Sequence, residues 1–103
     1  MLDTFHCYRG GSTPDMLAPI PGERIFLVQI SDCMDLPRYE LEDRHRLYPG
    51  AGAIPLEPLF SALGAKGFDG YYSLELMNED YWLEDPAVVA QDGMRALRRL
   101  DIV

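Results

Sequence analysis

Gly67-Phe68-Asp69-Gly70-Tyr71-Tyr72-Ser73-Leu74-Glu75-Leu76 is the stretch that decides the fold class. Its Tyr-rich and aliphatic run predicts a β-strand over residues 70–76. On its N-terminal side, Leu56, Leu59, Phe60 and Leu63 share one helical face, which predicts a helix over residues 56–66 stopped by Gly67. On its C-terminal side, Asn78 to Glu84 reads as a loop holding the one tryptophan, Trp82. Asp85-Pro86 then opens another helix, by a capping side chain followed by proline at the first turn. Val89, Gly93, Ala96, Leu97 and Leu100 form its apolar stripe, and Arg95, Arg98 and Arg99 suit its negative end.

The same order repeats upstream. Residues 24–30 form an apolar run between Gly22 and Asp32, with apolar side chains on both faces, as in a buried parallel strand. A long polar loop, residues 31–53, separates it from the helix at 56–66, and loops of that length in compact domains are usually functional or disordered. Residues 2–7 predict a first strand that starts almost at the first residue. Ser12-Thr13-Pro14-Asp15 follows as a helix start, cut short by Pro19 and Pro21. Three strand–loop–helix units predict an α/β fold with a parallel sheet, and three strands make an incomplete one.

Chemistry in such folds gathers at the carboxyl ends of the strands. Each predicted strand offers one oxygen-bearing side chain there: Asp3, Gln29 and Glu75. Such a set suits Mg²⁺ or Mn²⁺, and Zn²⁺ or Co²⁺ if a nitrogen joins it. Asp3 reads equally well as a helix cap or loop anchor, and Gln29 as an amide that satisfies backbone groups. Glu75 is the stronger candidate, because a carboxylate inside an apolar strand is costly unless paired or metal-bound. His6 reads as either a core histidine or a contact residue, Tyr81 and Trp82 as packing, and Cys7 and Cys33 as small buried hydrophobes. Arg46, in the loop, could reach a hydroxyl, carbonyl or carboxylate of a substrate.

Composition narrows the classes. The chain has 103 residues, 9 basic and 17 acidic, for a net charge of -8. That balance argues against a nucleic-acid binder, which sets Lys and Arg against the phosphate backbone. No apolar run is long enough to span a membrane, no secretory signal is visible, and two cysteines make no disulfide framework, so a cytoplasmic location is expected.

At these residues the sequence resembles the xylose-isomerase-like TIM-barrel superfamily, the sugar phosphate isomerase/epimerase or AP endonuclease 2 group. The match is to the C-terminal part of its barrel, so residues 1–103 are expected to form one domain holding barrel strands six to eight. Leu2-Asp3-Thr4-Phe5-His6 resembles the family's D-x-x-H, which implies metal ligation by Asp3 and substrate contact by His6. Val28-Gln29-Ile30-Ser31-Asp32 resembles the seventh strand, with Gln29 where ketose epimerases and inosose isomerases carry a histidine ligand. Gln29 is the choice of enzymes similar to 3-dehydroshikimate dehydratase. Arg46 before Pro49-Gly50-x-Gly52 resembles a loop that implies substrate contact by Arg46. Residues 68–75 resemble the eighth strand, which implies metal ligation by Glu75.

The resemblance implies a divalent metal, a small hydroxylated carbonyl substrate, and proton transfer beside the carbonyl, with Glu75 as the catalytic carboxylate. The family's first metal ligand, a Glu of the fifth strand, has no counterpart in this chain. The site is therefore expected to be incomplete and the isolated chain inactive. The alternative expectation is a non-catalytic domain that self-associates to cover its open strand edges. A DNA-repair nuclease, suggested by the family's label, is disfavoured by the charge.

Overall fold

A computed structural model describes residues 1–101. Three parallel strands lie side by side in the order β1 (Leu2–Asp3), β2 (Leu27–Ile30) and β5 (Tyr71–Leu74). The register aligns Asp3 with Gln29 and Gln29 with Ser73. Side chains alternate across a strand, so Asp3, Gln29 and Ser73 share one face, and Val28 and Tyr72 the other. Val28 and Ile30 are fully buried against Leu59 and Leu63 of α2 (Leu56–Ala65) and Leu97 of α4 (Pro86–Arg99). The opposite face, with Gln29, Ser73 and Glu75, is only half-buried. The expectation that residues 24–30 are covered on both faces therefore holds for one face only.

Both long helices form where their local signals lie. The α2 stripe of Leu56, Leu59 and Leu63 is buried, and Gly67 follows at φ 70°, the left-handed backbone that ends the helix. Asp85 caps α4 by accepting from the Ala87 amide at 2.8 Å, with Pro86 in the first turn. Gly93, Ala96 and Leu97 are its buried stripe. A Cβ on Gly93 would collide with the Leu74 side chain, so glycine lets α4 lie directly on the end of β5.

Other expectations change with the structure. The first strand does not run over residues 2–7: it ends at Asp3, and α1 (Thr4–Arg9) begins at once. The cause is Asp3 itself, whose Oδ1 accepts from the His6 amide at 2.9 Å and caps the helix. Of the two alternatives for loop 31–53, functional or disordered, the structure removes the second. A short antiparallel ribbon of β3 (Asp32–Cys33) and β4 (Arg46–Leu47) closes the loop. A short helix, α3 (Glu79–Trp82), occupies the segment read as a loop, capped by Asn78 Oδ1 on the Asp80 amide at 2.9 Å. Among the described residues, no helix is long and apolar enough to cross a membrane.

Candidate functional site

The folded loop and the carboxyl ends of the strands meet around Arg46. Phe5, buried in α1, lies under the guanidinium at 4.5 Å, and Arg46 is only 2% exposed. Its Nη1 donates to Asp3 Oδ2 at 3.1 Å and to Ser31 Oγ at 3.2 Å. Its Nε and Nη2 both donate to Asp43 Oδ1, at 3.1 and 3.0 Å. Its Nη2 also lies 3.3 Å from Nε2 of His6, which is exposed. The helical turn after Asp3 puts His6 three positions on and hence on the same side as Asp3, which an extended strand would not do.

A second contact joins the same structure to the end of β5. Asn78 is buried, and its Nδ2 donates to the Arg46 carbonyl at 2.8 Å. Between β5 and Asn78 sits Glu75, whose Oε2 accepts from Gln29 Nε2 at 3.1 Å. The sequence-derived residues thus fall into two linked groups. Asp3, His6 and Arg46 form one, Gln29 and Glu75 the other, and the register places Asp3 beside Gln29.

Asp32 was not among the residues read as functional, yet it organises the loop. It is fully buried. Its Oδ1 accepts from the amides of Cys33 at 2.9 Å and Ile54 at 2.8 Å, and its Oδ2 from Gly50 at 2.9 Å. Gly50 adopts φ 86°, and a Cβ on Gly52 would strike the Cys33 carbonyl and the Asp32 carboxylate. The Pro49-Gly50-Ala51-Gly52 signature is therefore a backbone wrap around Asp32. The available signal was an acid two residues after a buried apolar run. Trp82, read as packing, is 62% exposed, whereas Tyr81 does pack, stacked on Tyr48 at 4.5 Å.

The donor types fit a hard divalent cation, since Asp3, Gln29 and Glu75 all offer oxygen. Gln29 uses its amide N–H on Glu75, which leaves its carbonyl oxygen as the donor it could give a cation. Their number makes one side of a coordination shell. Among the described residues, no three His, Cys, Asp or Glu side chains come together as a metal site.

A parallel sheet with helices packed on one face and polar side chains along the other, at the carboxyl strand ends, defines an arc of a (β/α) barrel. The chain belongs to the xylose isomerase-like TIM barrel family, whose model matches residues 1–100. It is 39% identical to inosose isomerase of Bacillus subtilis over 80% of this chain and 30% of that protein. It is 36% identical to 3-dehydroshikimate dehydratase of Pseudomonas aeruginosa over 98% of this chain and 16% of that protein. The chain thus spans a third or less of these curated relatives. Among solved structures it is similar to the IOLI protein with a bound zinc atom, at TM-score 0.91 and 33% identity, covering 96% of this chain and 36% of that one. A fusion of a xylose isomerase-like TIM barrel with 4-hydroxyphenylpyruvate dioxygenase matches at TM-score 0.83 and 31% identity, covering 96% of this chain and 16% of that one.

Proposed function

We propose that this chain supplies one wall of a divalent-metal-dependent active site for isomerisation, epimerisation or dehydration of a small polyhydroxylated carbonyl compound. One observation carries the reading: Asp3 and Gln29 are register partners, and Glu75 is hydrogen-bonded to Gln29, at the carboxyl ends of three adjacent parallel strands. Asp3, Gln29 and Glu75 would hold the cation, which would polarise the substrate carbonyl and its neighbouring hydroxyl as a Lewis acid. Mg²⁺, Mn²⁺, Co²⁺ and Zn²⁺ are all candidates for such a set.

Glu75 would take the proton from the carbon beside the carbonyl. Protonation of the neighbouring carbon, with the hydroxyl proton passing to the former carbonyl oxygen, gives isomerisation; protonation of the same carbon from its other face, by a donor on the opposite wall, gives epimerisation. Losing a β-hydroxyl instead gives dehydration, and Gln29 favours that outcome. His6 is the substrate contact of this wall. Arg46 has no N–H left for a substrate and acts through the residues it holds.

The test is a Mn²⁺ titration of the purified chain and its Glu75→Gln variant, with turnover assayed on 3-dehydroshikimate and inososes. Mn²⁺ binding weakened about tenfold or more in Glu75→Gln is expected, with little or no turnover by the isolated chain. Binding indifferent to Glu75 would refute the site. Turnover at rates ordinary for enzymes would refute its being only one wall.

A second reading is a non-catalytic domain that forms homo-oligomers. Phe26 and Tyr71, 72% and 83% exposed at the amino-terminal end of the sheet, favour it. Light scattering on the eluting chain decides: a monodisperse dimer supports this reading, and a monomer removes it.

A further inference from the structure

An arginine carries five N–H bonds and no acceptor. Five hydrogen bonds account for them: two to Asp43, one to Asp3, one to Ser31 and one to His6. A guanidinium N–H can only donate, so in its contact with His6 Nε2 the imidazole nitrogen is the acceptor. A ring nitrogen that accepts carries no proton, and the proton of a neutral imidazole is then on Nδ1. No described residue is bonded to His6 Nδ1.

We infer that Arg46 is a positioning residue that locks His6 as the Nδ1–H tautomer, so that His6 meets a ligand as a hydrogen-bond donor to a hydroxyl or carbonyl oxygen and not as a base through Nε2. The guanidinium is itself held in place, lying over Phe5 at 4.5 Å, with Asp43 on Nε and on the Nη2 that meets His6, and Asp3 and Ser31 on Nη1. The tautomer is a property of the chain alone. That its donor faces substrate rests on the reading given under Proposed function.

The chain contains its own control. His45 Nδ1 accepts from the backbone amide of Glu42 at 3.0 Å, and an amide can only donate, so His45 is held as the opposite tautomer, Nε2–H. The two histidines of the chain are therefore locked in opposite forms.

The experiment is a long-range ¹H–¹⁵N spectrum of the ¹⁵N-labelled chain at pH 8, assigned with His45→Gln. His6 is expected to show a protonated Nδ1 and a bare Nε2, and His45 the reverse. Arg46→Lys keeps a positive charge against Asp3 but lacks the planar fork, and the His6 signals are expected to move toward the average of the two tautomers. A wild-type His6 that is Nε2–H or averaged overturns the inference. So does an Arg46→Lys chain that folds and keeps His6 fully Nδ1–H. Neither metal nor substrate enters this measurement, so its failure is distinct from failure of the Mn²⁺ titration.

Discussion

Arg46 Nη1 lies 3.1 Å from Asp3 Oδ2, with the two side chains only 3% and 7% exposed, and this buried pair ties loop 31–53 to the end of β1. Both groups make further bonds: Asp3 also accepts from the His6 amide, and Arg46 donates to Ser31 and Asp43. A buried pair satisfied in this way is costly to break from one side, because the remaining charge is left unpaired.

Arg46→Met is therefore expected to destabilise the chain by about 3–5 kcal/mol. The double variant Asp3→Leu/Arg46→Met is expected to lose less than Arg46→Met alone, since it leaves no orphaned charge. Urea unfolding midpoints of the three chains check this. Additive losses would show that the two residues are energetically independent.

Asp32→Ala removes the acceptor for the amides of Cys33, Gly50 and Ile54. The Cys33 and Ile54 bonds are buried, and each buried N–H left without a partner costs about 1–3 kcal/mol; the Gly50 bond is part-buried and adds less. Thermal unfolding should fall sharply, and hydrogen exchange at Gly50 and Ile54 should speed up more than in α2. Asp32→Asn keeps one acceptor oxygen and is expected to fall between the wild type and Asp32→Ala.

Gly93→Ala places a methyl group against the Leu74 side chain and close to the Tyr48 ring. Overpacking of this kind costs about 1–3 kcal/mol, even though alanine is the better helix former. A denaturation midpoint that rises instead would mean that α4 can slide off β5 without loss.

Burial, with smaller contributions from the Asp32 and Asp35 charges, pushes the Cys33 thiol up to about 11 from an ordinary 9.0. Cys7 is also raised, chiefly by burial. The sign follows from proton counting: between those two values of pH the unfolded chain has lost the Cys33 proton and the folded chain has kept it. Cys33 thus favours the fold fully below pH 9 and loses that contribution as pH climbs toward 11. Stability measured from pH 8 to 11 should decline, and the decline should be shallower in Cys33→Ala. Alkylation at pH 8 should modify half-buried Cys7 before fully buried Cys33.

Much of the fold was legible because its signals are local. Proline, an acid and a glycine within a few residues marked the ends of α2 and α4, and their apolar spacing marked the buried faces. Glu75 stood out for a similarly local reason, as a carboxylate between two leucines. Asp3 was legible only as two alternatives. The structure shows it as a cap on the His6 amide, and its partner Arg46 lies 43 positions away.

The sequence by itself determined the three parallel strands and the helices α2 and α4 between and after them, because capping, stop signals and side-chain periodicity act over one or two turns of chain, and its motifs carried the family resemblance. Tertiary structure alone decided what Asp3, Asp32, Arg46 and Asn78 do. Their partners are 18 to 43 residues away for Arg46 with Asp3, Asp32 with Gly50 and Ile54, and Asn78 with the Arg46 carbonyl. A buried polar group must find its partner wherever packing brings one within about 3 Å, and no spacing along the chain encodes that distance.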